Sequence, residues 1–212
     1  MKVIFVNGNI GAGKETVMNF FQEVLTNKGH KVKLILEPVQ LWRDTGMLNR
    51  LYKGEYFAFQ KFAVQSRVDT INEQYKEALQ EDCEFVFIET HPIIDLLVFA
   101  KTTLTEKQFC EYEKSWLNEV ARLIVNWHYP VDYVNLFLHV EPEDCLKRII
   151  TRARNEESEI KLDYLQKLHA AHLKLNQAFS GLYAIDGHSY VYENKELGKF
   201  IYDTEFMNYA CL

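Results

Sequence analysis

Short runs rich in Val, Ile, Phe and Tyr, at Lys2–Val6, Lys31–Leu36, Glu84–Ile88, Val131–Val140 and Ser189–Tyr192, alternate along this chain with longer amphipathic stretches. Apolar runs of that length read as strands covered on both faces, where neither side meets water. The stretches between and after them predict helices over Gly13–Lys28, Glu55–Glu81, Glu106–Trp127, Pro142–Glu157, Leu162–Phe179 and Leu197–Met207. Two carry start signals: Thr105 stands before Glu106, and Glu141, Glu143 and Asp144 form an acidic first turn that suits the positive end of a helix dipole. The alternation predicts an α/β domain, a parallel sheet with helices on both faces. Without repeats, low-complexity tracts or a Pro/Gly linker, residues 1–212 read as one domain. The polar patch Arg152–Lys161 reads as a mobile, charged connection. The helices from Glu55 and Glu106 carry more apolar residues than one sheet face requires, which leaves room for a helical dimer interface.

Between the first strand and the first helix lies Gly8-Asn9-Ile10-Gly11-Ala12-Gly13-Lys14, followed by Glu15 and Thr16. Gly8, Gly13 and Lys14 have Walker A spacing in the strand-to-helix context that gives the motif meaning. Glycines allow consecutive N–H groups to turn inward around phosphate oxygens, the helix N-terminus adds its positive end, and the lysine faces the β and γ phosphates. The alternative is an ordinary glycine turn. Glu15 breaks the pattern, because a Ser or Thr hydroxyl for Mg²⁺ is expected there. A carboxylate also ligates Mg²⁺, but sets a negative charge beside triphosphate oxygens. Direct ligation, ligation through a metal-bound water and weakened metal binding all stay open.

The second strand runs into Leu36-Glu37-Pro38-Val39, with Trp42 close behind, and the third into Glu89-Thr90-His91-Pro92. Both carboxylates fall at carboxyl ends of strands, where open α/β sheets place their ligands. One can take a proton from an attacking hydroxyl while the other holds a metal or its waters. Each alone reads equally as a solvated strand end or a helix cap.

Composition narrows the partners. In 212 residues, 48% of them hydrophobic, a core can form without metal or disulfide, and a net charge of −6 offers no basic face for nucleic acid. Cys83, Cys110, Cys145 and Cys211 lack paired spacing and read as reduced packing residues. The N-terminal apolar run is too short for a signal peptide, and no run is long enough to span a membrane. The expectation is a cytoplasmic protein with no nucleic-acid or membrane partner.

Taken together and in order, these motifs resemble the deoxyribonucleoside kinases, the family of deoxycytidine, deoxyguanosine and mitochondrial thymidine kinases. The resemblance runs over nearly the whole chain and is most specific at Gly8–Lys14, Glu37-Pro38-Val39 with Trp42, Phe59-Gln60 and Leu138–His169. It implies a P-loop kinase fold with a five-stranded sheet of order 2-3-1-4-5 and an arginine-rich lid at about 148–161. It further implies transfer of the γ-phosphoryl of ATP to the 5′-hydroxyl of a deoxynucleoside, with Mg²⁺, in a homodimer. By position, Glu37 matches the general base, Gln60 the residue that pairs with the base edge, and Trp42, Phe59 and Phe99 the walls of the base pocket. Tyr52 and Glu157 match the pair that holds the 3′-hydroxyl, and Arg148, Arg152 and Arg154 the lid. The catalytic set is Glu37, Lys14, Arg152 and Glu89, with the metal beside Glu15 and Glu89. Arg67 and Asp95 stand where members that accept cytosine and purines are similar in carrying Arg and Asp, whereas thymidine-preferring members carry smaller or apolar residues. A surface ion pair for Arg67 and a helix cap for Asp95 are the competing readings.

A second departure is Thr90, where the family's Glu-Arg-Ser motif has an arginine that steadies the phosphoryl group. His91-Pro92-Ile93 is also similar to a segment of herpesvirus thymidine kinases, which keeps that arginine. Losing such a contact can cost several kcal/mol, so turnover is expected to be slow unless Arg152 or another cation substitutes. Glu15 and Thr90 together raise a nucleotide- or nucleoside-binding pseudokinase as one competitor, and a thymidylate-like monophosphate kinase is the other. His128, His169 and His172 read as structural.

Overall fold

A computed structural model describes residues 1–126, 133–182 and 188–193 of the chain. β1 (Lys2–Gly8) is buried from Val3 onward because strands flank both its edges and helices cover both its faces. α1 (Lys14–Asn27) leads to β2 (Val32–Ile35), and α2 (Val39–Asp44), α3 (Met47–Tyr52) and the long α4 (Tyr56–Gln80) lead to β3 (Phe85–Glu89). A helical segment follows, formed by α5 (Pro92–Ile94), a π-helix (Asp95–Ala100) and α6 (Lys101–Thr103), and then α7 (Glu106–Asn126) before β4 (Tyr133–His139). α8 (Pro142–Arg152), a 3₁₀ turn (Asn155–Glu157) and α9 (Leu162–Leu182) precede β5 (His188–Glu193).

The strands form one parallel sheet in the order β2-β3-β1-β4-β5. This is the order implied by the resemblance. Side chains alternate across each strand, so the sheet feeds two cores. On one face Ile4, Val6, Phe87 and Leu136 pack with Val17, Phe21 and Leu25 of α1. On the other, Val3, Phe5, Val86 and Ile88 meet Val64, Val68 and Ile71 of α4 and Tyr112 and Trp116 of α7. Much of the apolar surplus of α4 and α7 is therefore buried within the chain. With β2 and β3 on one side of β1 and β4 and β5 on the other, a crevice opens at the carboxyl ends of the strands.

Most elements lie within two residues of their expected limits. The predicted helix Pro142–Glu157 is shorter, however. It stops at Arg152, where Ala153 turns left-handed (φ 51°) and its N–H reaches the carbonyls of Ile149 and Ile150, after which Asn155–Glu157 form the 3₁₀ turn. The short helices α2 and α3 and the 92–103 segment were not expected. The predicted helix Leu197–Met207 and His128 lie outside the described residues. No helix among the described residues is long and apolar enough to cross a membrane.

Candidate active site

The glycine loop turns sharply out of β1. Gly11 (φ 78°) fits closely under α8: a Cβ there would stand 2.6 Å from the carbonyl oxygen of Cys145. Asn9, almost wholly buried, donates through Nδ2 to the Leu165 carbonyl (2.9 Å) and accepts from the Ile10 N–H (2.9 Å), tying the loop to α9. Gly13 (φ 89°) caps α1, and no side chain occupies the first N–H groups of that helix. Unpaired N–H groups at a dipole's positive end form an anion site. Lys14 Nζ lies over the loop, 3.5 Å from the Gly8 carbonyl and 3.7 Å from Glu89 Oε1.

From Lys14 a row of alternating charges runs across the strand ends. The Glu37 N–H donates to Glu89 Oε2 (3.2 Å). Glu37 Oε1 accepts from the Thr90 hydroxyl (2.7 Å) and from Arg67 Nη1 (3.1 Å). Arg67 then grips Asp95 with two bonds, Nε to Oδ2 at 2.8 Å and Nη2 to Oδ1 at 3.1 Å. Both partners are 3% exposed, which rules out the surface ion-pair reading. Asp95 is held by this fork and does not serve as a helix cap. Burial alone would push the Glu37 carboxyl up, but the charges of Arg67 and Lys14 and the two hydrogen bonds outweigh it and hold it below the usual range. Glu89 moves the other way, raised by burial and by the charge of Glu37. Two adjacent carboxyls driven apart in this manner divide the labour of proton acceptor and charge partner.

Thr90 occupies a left-handed backbone position (φ 66°), unusual for a β-branched residue and a site of local strain. Its N–H closes the sheet on the Val6 carbonyl, and its hydroxyl is thereby aimed at Glu37. Next to it, His91 accepts the Ile93 N–H at Nδ1, and burial with the Arg67 charge pushes its pKa down to about 4.

Beyond Arg67 the cavity becomes aromatic. The Trp42 and Phe59 rings meet edge to face at 5.3 Å, Trp42 Nε1 donates to Ser66 Oγ (2.8 Å), and the Arg67 guanidinium lies 5.6 Å from the Trp42 ring. Gln60 is 2% exposed, and its amide has no hydrogen-bond partner among the described residues. Asp95 and Phe99, four residues apart on one side of the π-helix, both line this space.

The third wall comes from the turn after α8. Arg152 makes two bonds to the buried Glu157 (2.9 and 2.7 Å), and Arg154 lies 3.5 Å from the same carboxylate. Arg43 of α2 pairs with Glu156, so the expected mobile connection is tied down by ion pairs. Burial, and then the Glu157 charge, raises the Tyr52 hydroxyl, which keeps it protonated.

These walls enclose a cavity of about 450 Å³, within the range of small-molecule sites. Lined by Ile10, Gly11, Gly13, Lys14, Glu15 and Thr16 at one end, it also takes in Glu37, Trp42, Tyr52, Phe59, Gln60, Arg67, Glu89, Asp95, Phe99, Arg152, Arg154 and Glu157. Gly8, Asn9 and Ala12 support the loop from beneath. Arg148 is not in the cavity wall: it is exposed and donates to the Ala12 carbonyl (3.0 Å). Arg43 and Tyr164 also line the cavity and were missed. Adjacency to Trp42 was a usable signal for Arg43. Tyr164 had none, since a tyrosine early in an amphipathic helix reads as core.

The fold and cavity define a nucleotide-handling α/β phosphotransferase. Residues 4–205 match the family described as deoxynucleoside kinase, and the chain belongs to that family. It is 31% identical over 177 residues to a Fowlpox virus (strain NVSL) protein named probable deoxycytidine kinase, with 82% of this chain and 71% of that one covered. It is 29% identical over 210 residues to the deoxycytidine kinase of Bos taurus (81% and 74% covered) and 29% identical over 203 residues to the mitochondrial deoxyguanosine kinase of Xenopus laevis (81% and 72%). The chain is an ATP-dependent deoxynucleoside kinase.

Proposed function

We propose that the protein transfers the γ-phosphoryl of ATP to the 5′-hydroxyl of a deoxynucleoside, with cytosine and purine bases favoured over thymine. The observation that carries this reading is the charged row from Lys14 through Glu89, Glu37 and Arg67 to Asp95, which leads from the glycine loop to the aromatic end. The loop N–H groups and Lys14 hold the triphosphate, and Trp42, Phe59 and Phe99 wall the space for the base. The Gln60 amide offers a donor and an acceptor to the base edge. Tyr52 and Glu157 take the 3′-hydroxyl. Glu37, kept ionised by Arg67, Lys14 and Thr90, accepts the 5′-hydroxyl proton as that oxygen bonds to the γ-phosphorus and the bond to the β-phosphate oxygen breaks. Lys14, Arg152 and Arg154 offset the charge on the transferred group.

Glu15 and Glu89 both line the cavity, Glu89 at 3.7 Å from Lys14 Nζ, and their carboxylates are a hard-donor pair that suits Mg²⁺. Bound there, the ion would draw charge from the phosphate oxygens. The Arg67–Asp95 fork underlies the base preference: it fills the space a thymine methyl needs and presents charge to an exocyclic amine. A cytoplasmic homodimer belongs to the same reading, with Leu117 of α7, 56% exposed, available at a subunit contact.

The test is a panel of deoxynucleosides and their monophosphates with ATP and Mg²⁺. Deoxycytidine and purine deoxynucleosides should give 5′-monophosphates, thymidine less, and Glu37→Gln none. An absence of product from every nucleoside, or full turnover by Glu37→Gln, would overturn the assignment.

A further inference from the structure

Outside the cavity, where β4 ends, three side chains with ligand atoms meet. His139 closes β4, Glu141 caps α8 and His169 projects from α9. Their ligand atoms all lie within 4.8 Å of one another. His139 Nε2 stands 3.9 Å from Glu141 Oε1, and the two imidazoles are near parallel (23°) with centroids 5.1 Å apart. None of the three lines the cavity. His139 and Glu141 are two residues apart along extended chain, a spacing that returns side chains to one side, and buried Val140 fixes the residue between them.

The composition of the cluster points to a particular class of ion. Two imidazoles with one carboxylate suit zinc and neighbouring transition metals, whereas Mg²⁺ and Ca²⁺ favour all-oxygen shells. In a tetrahedral zinc site, bonds of about 2.0–2.2 Å leave donor atoms about 3.3 Å apart. Side-chain rotation alone closes that gap, since Glu141 is exposed and both histidines are only half-buried. Glu143, also near His169, is already engaged by Gln166 Nε2 (3.2 Å).

We infer that His139, Glu141 and His169 form a site for one divalent transition-metal ion, zinc above all, with water in the fourth position. The ion would clip the end of β4 to α9. That helix holds the glycine loop through the Asn9–Leu165 bond and contributes Tyr164 to the cavity wall. The role is therefore a brace on the frame of the site, separate from the chemistry assigned above.

Calorimetric titration of the metal-free protein with Zn²⁺, without nucleotide, should give one ion per chain. Co²⁺ in its place should give visible d–d bands without thiolate charge-transfer absorption. Zn²⁺ should raise Tm in the wild type, while His139→Asn and His169→Gln should each weaken binding at least tenfold and remove the Tm gain. Glu141→Gln, at an exposed position where folding is not at stake, should weaken binding by a smaller factor, and Cys110→Ser should change nothing. No zinc binding at micromolar concentration would overturn the inference, as would binding unaffected by all three site variants, or thiolate bands that vanish in Cys110→Ser.

Discussion

The Thr90 hydroxyl donates a 2.7 Å hydrogen bond to Glu37 Oε1 from a backbone held at φ 66°. A hydrogen bond to a charged group contributes about 1.5–3 kcal/mol. Thr90→Val removes that donor without changing the shape of the side chain. Because Glu37 is held below the usual carboxylate range, losing one of the groups that hold it moves its pKa up. The acid limb of the kcat profile should therefore move to higher pH in Thr90→Val and stay in place in Thr90→Ser. Coincident profiles for wild type and Thr90→Val would show that the hydroxyl does not act on the base.

Arg67 serves two carboxylates at once, Glu37 at 3.1 Å and Asp95 at 2.8 Å. Removing one partner of a buried pair leaves the other charge uncompensated, at a cost of about 3–5 kcal/mol. Arg67→Met alone should thus be strongly destabilising in urea unfolding. The double variant Arg67→Met, Asp95→Ala also removes the Asp95 charge and should recover the part of that loss that Asp95 causes, Glu37 still lacking its arginine. It should also shift kcat/KM from deoxycytidine toward thymidine, because the fork no longer fills the methyl-sized space. A double variant as unstable as the single one would show that the loss comes from the unpaired Glu37 and not from Asp95.

What the sequence could and could not reveal follows from the range of the interactions. The strands, the long helices and the glycine loop rest on local periodicity or contiguous motifs and were legible to within three residues. The Arg67–Glu37 contact joins positions 30 apart, and Thr90–Glu37 joins positions 53 apart. Neither leaves a local pattern. Thr90 read as a lost arginine, whereas its left-handed turn makes it a partner of Glu37. The π-helix was hidden because Asp95–Ala100 is an apolar run with one acid, which periodicity cannot distinguish from a buried strand. Arg148 fitted the lid by spacing, but it lies a turn before the end of α8 and its guanidinium is turned to the Ala12 carbonyl instead.

Gly11 offers a test of the loop's close packing. At φ 78°, with a prospective Cβ 2.6 Å from the Cys145 carbonyl, Gly11→Ala must strain the backbone and push α8 away. Strain of this kind costs about 1–3 kcal/mol before any displacement. Loss of both stability and ATP affinity is expected, the latter seen as a raised KM for ATP. Gly29→Ala, equally left-handed but with open space around its Cβ, should lose stability and leave KM unchanged. Equal KM values for the two variants would separate loop packing from nucleotide binding.

His172 is 1% exposed between Phe137 (5.4 Å) and Phe99 (6.4 Å), and neither ring nitrogen has a partner among the described residues. Burial first, then the charges of Lys14 and His169, push its pKa from 6.5 down to about 3. A depressed folded-state pKa means that the unfolded chain takes up the proton first. Stability is therefore full above pH 6.5 and declines as pH falls from 6.5 toward about 3. His91, lowered to about 4, adds to the slope over the upper part of that window. His172→Phe keeps the ring shape and removes two unpaired polar atoms, a change that can be neutral or stabilising. It should raise urea-unfolding stability at pH 7 by about 1 kcal/mol and flatten the decline between pH 6.5 and 5. An unchanged slope in His172→Phe would show that this ring is not the group that takes up the proton on unfolding.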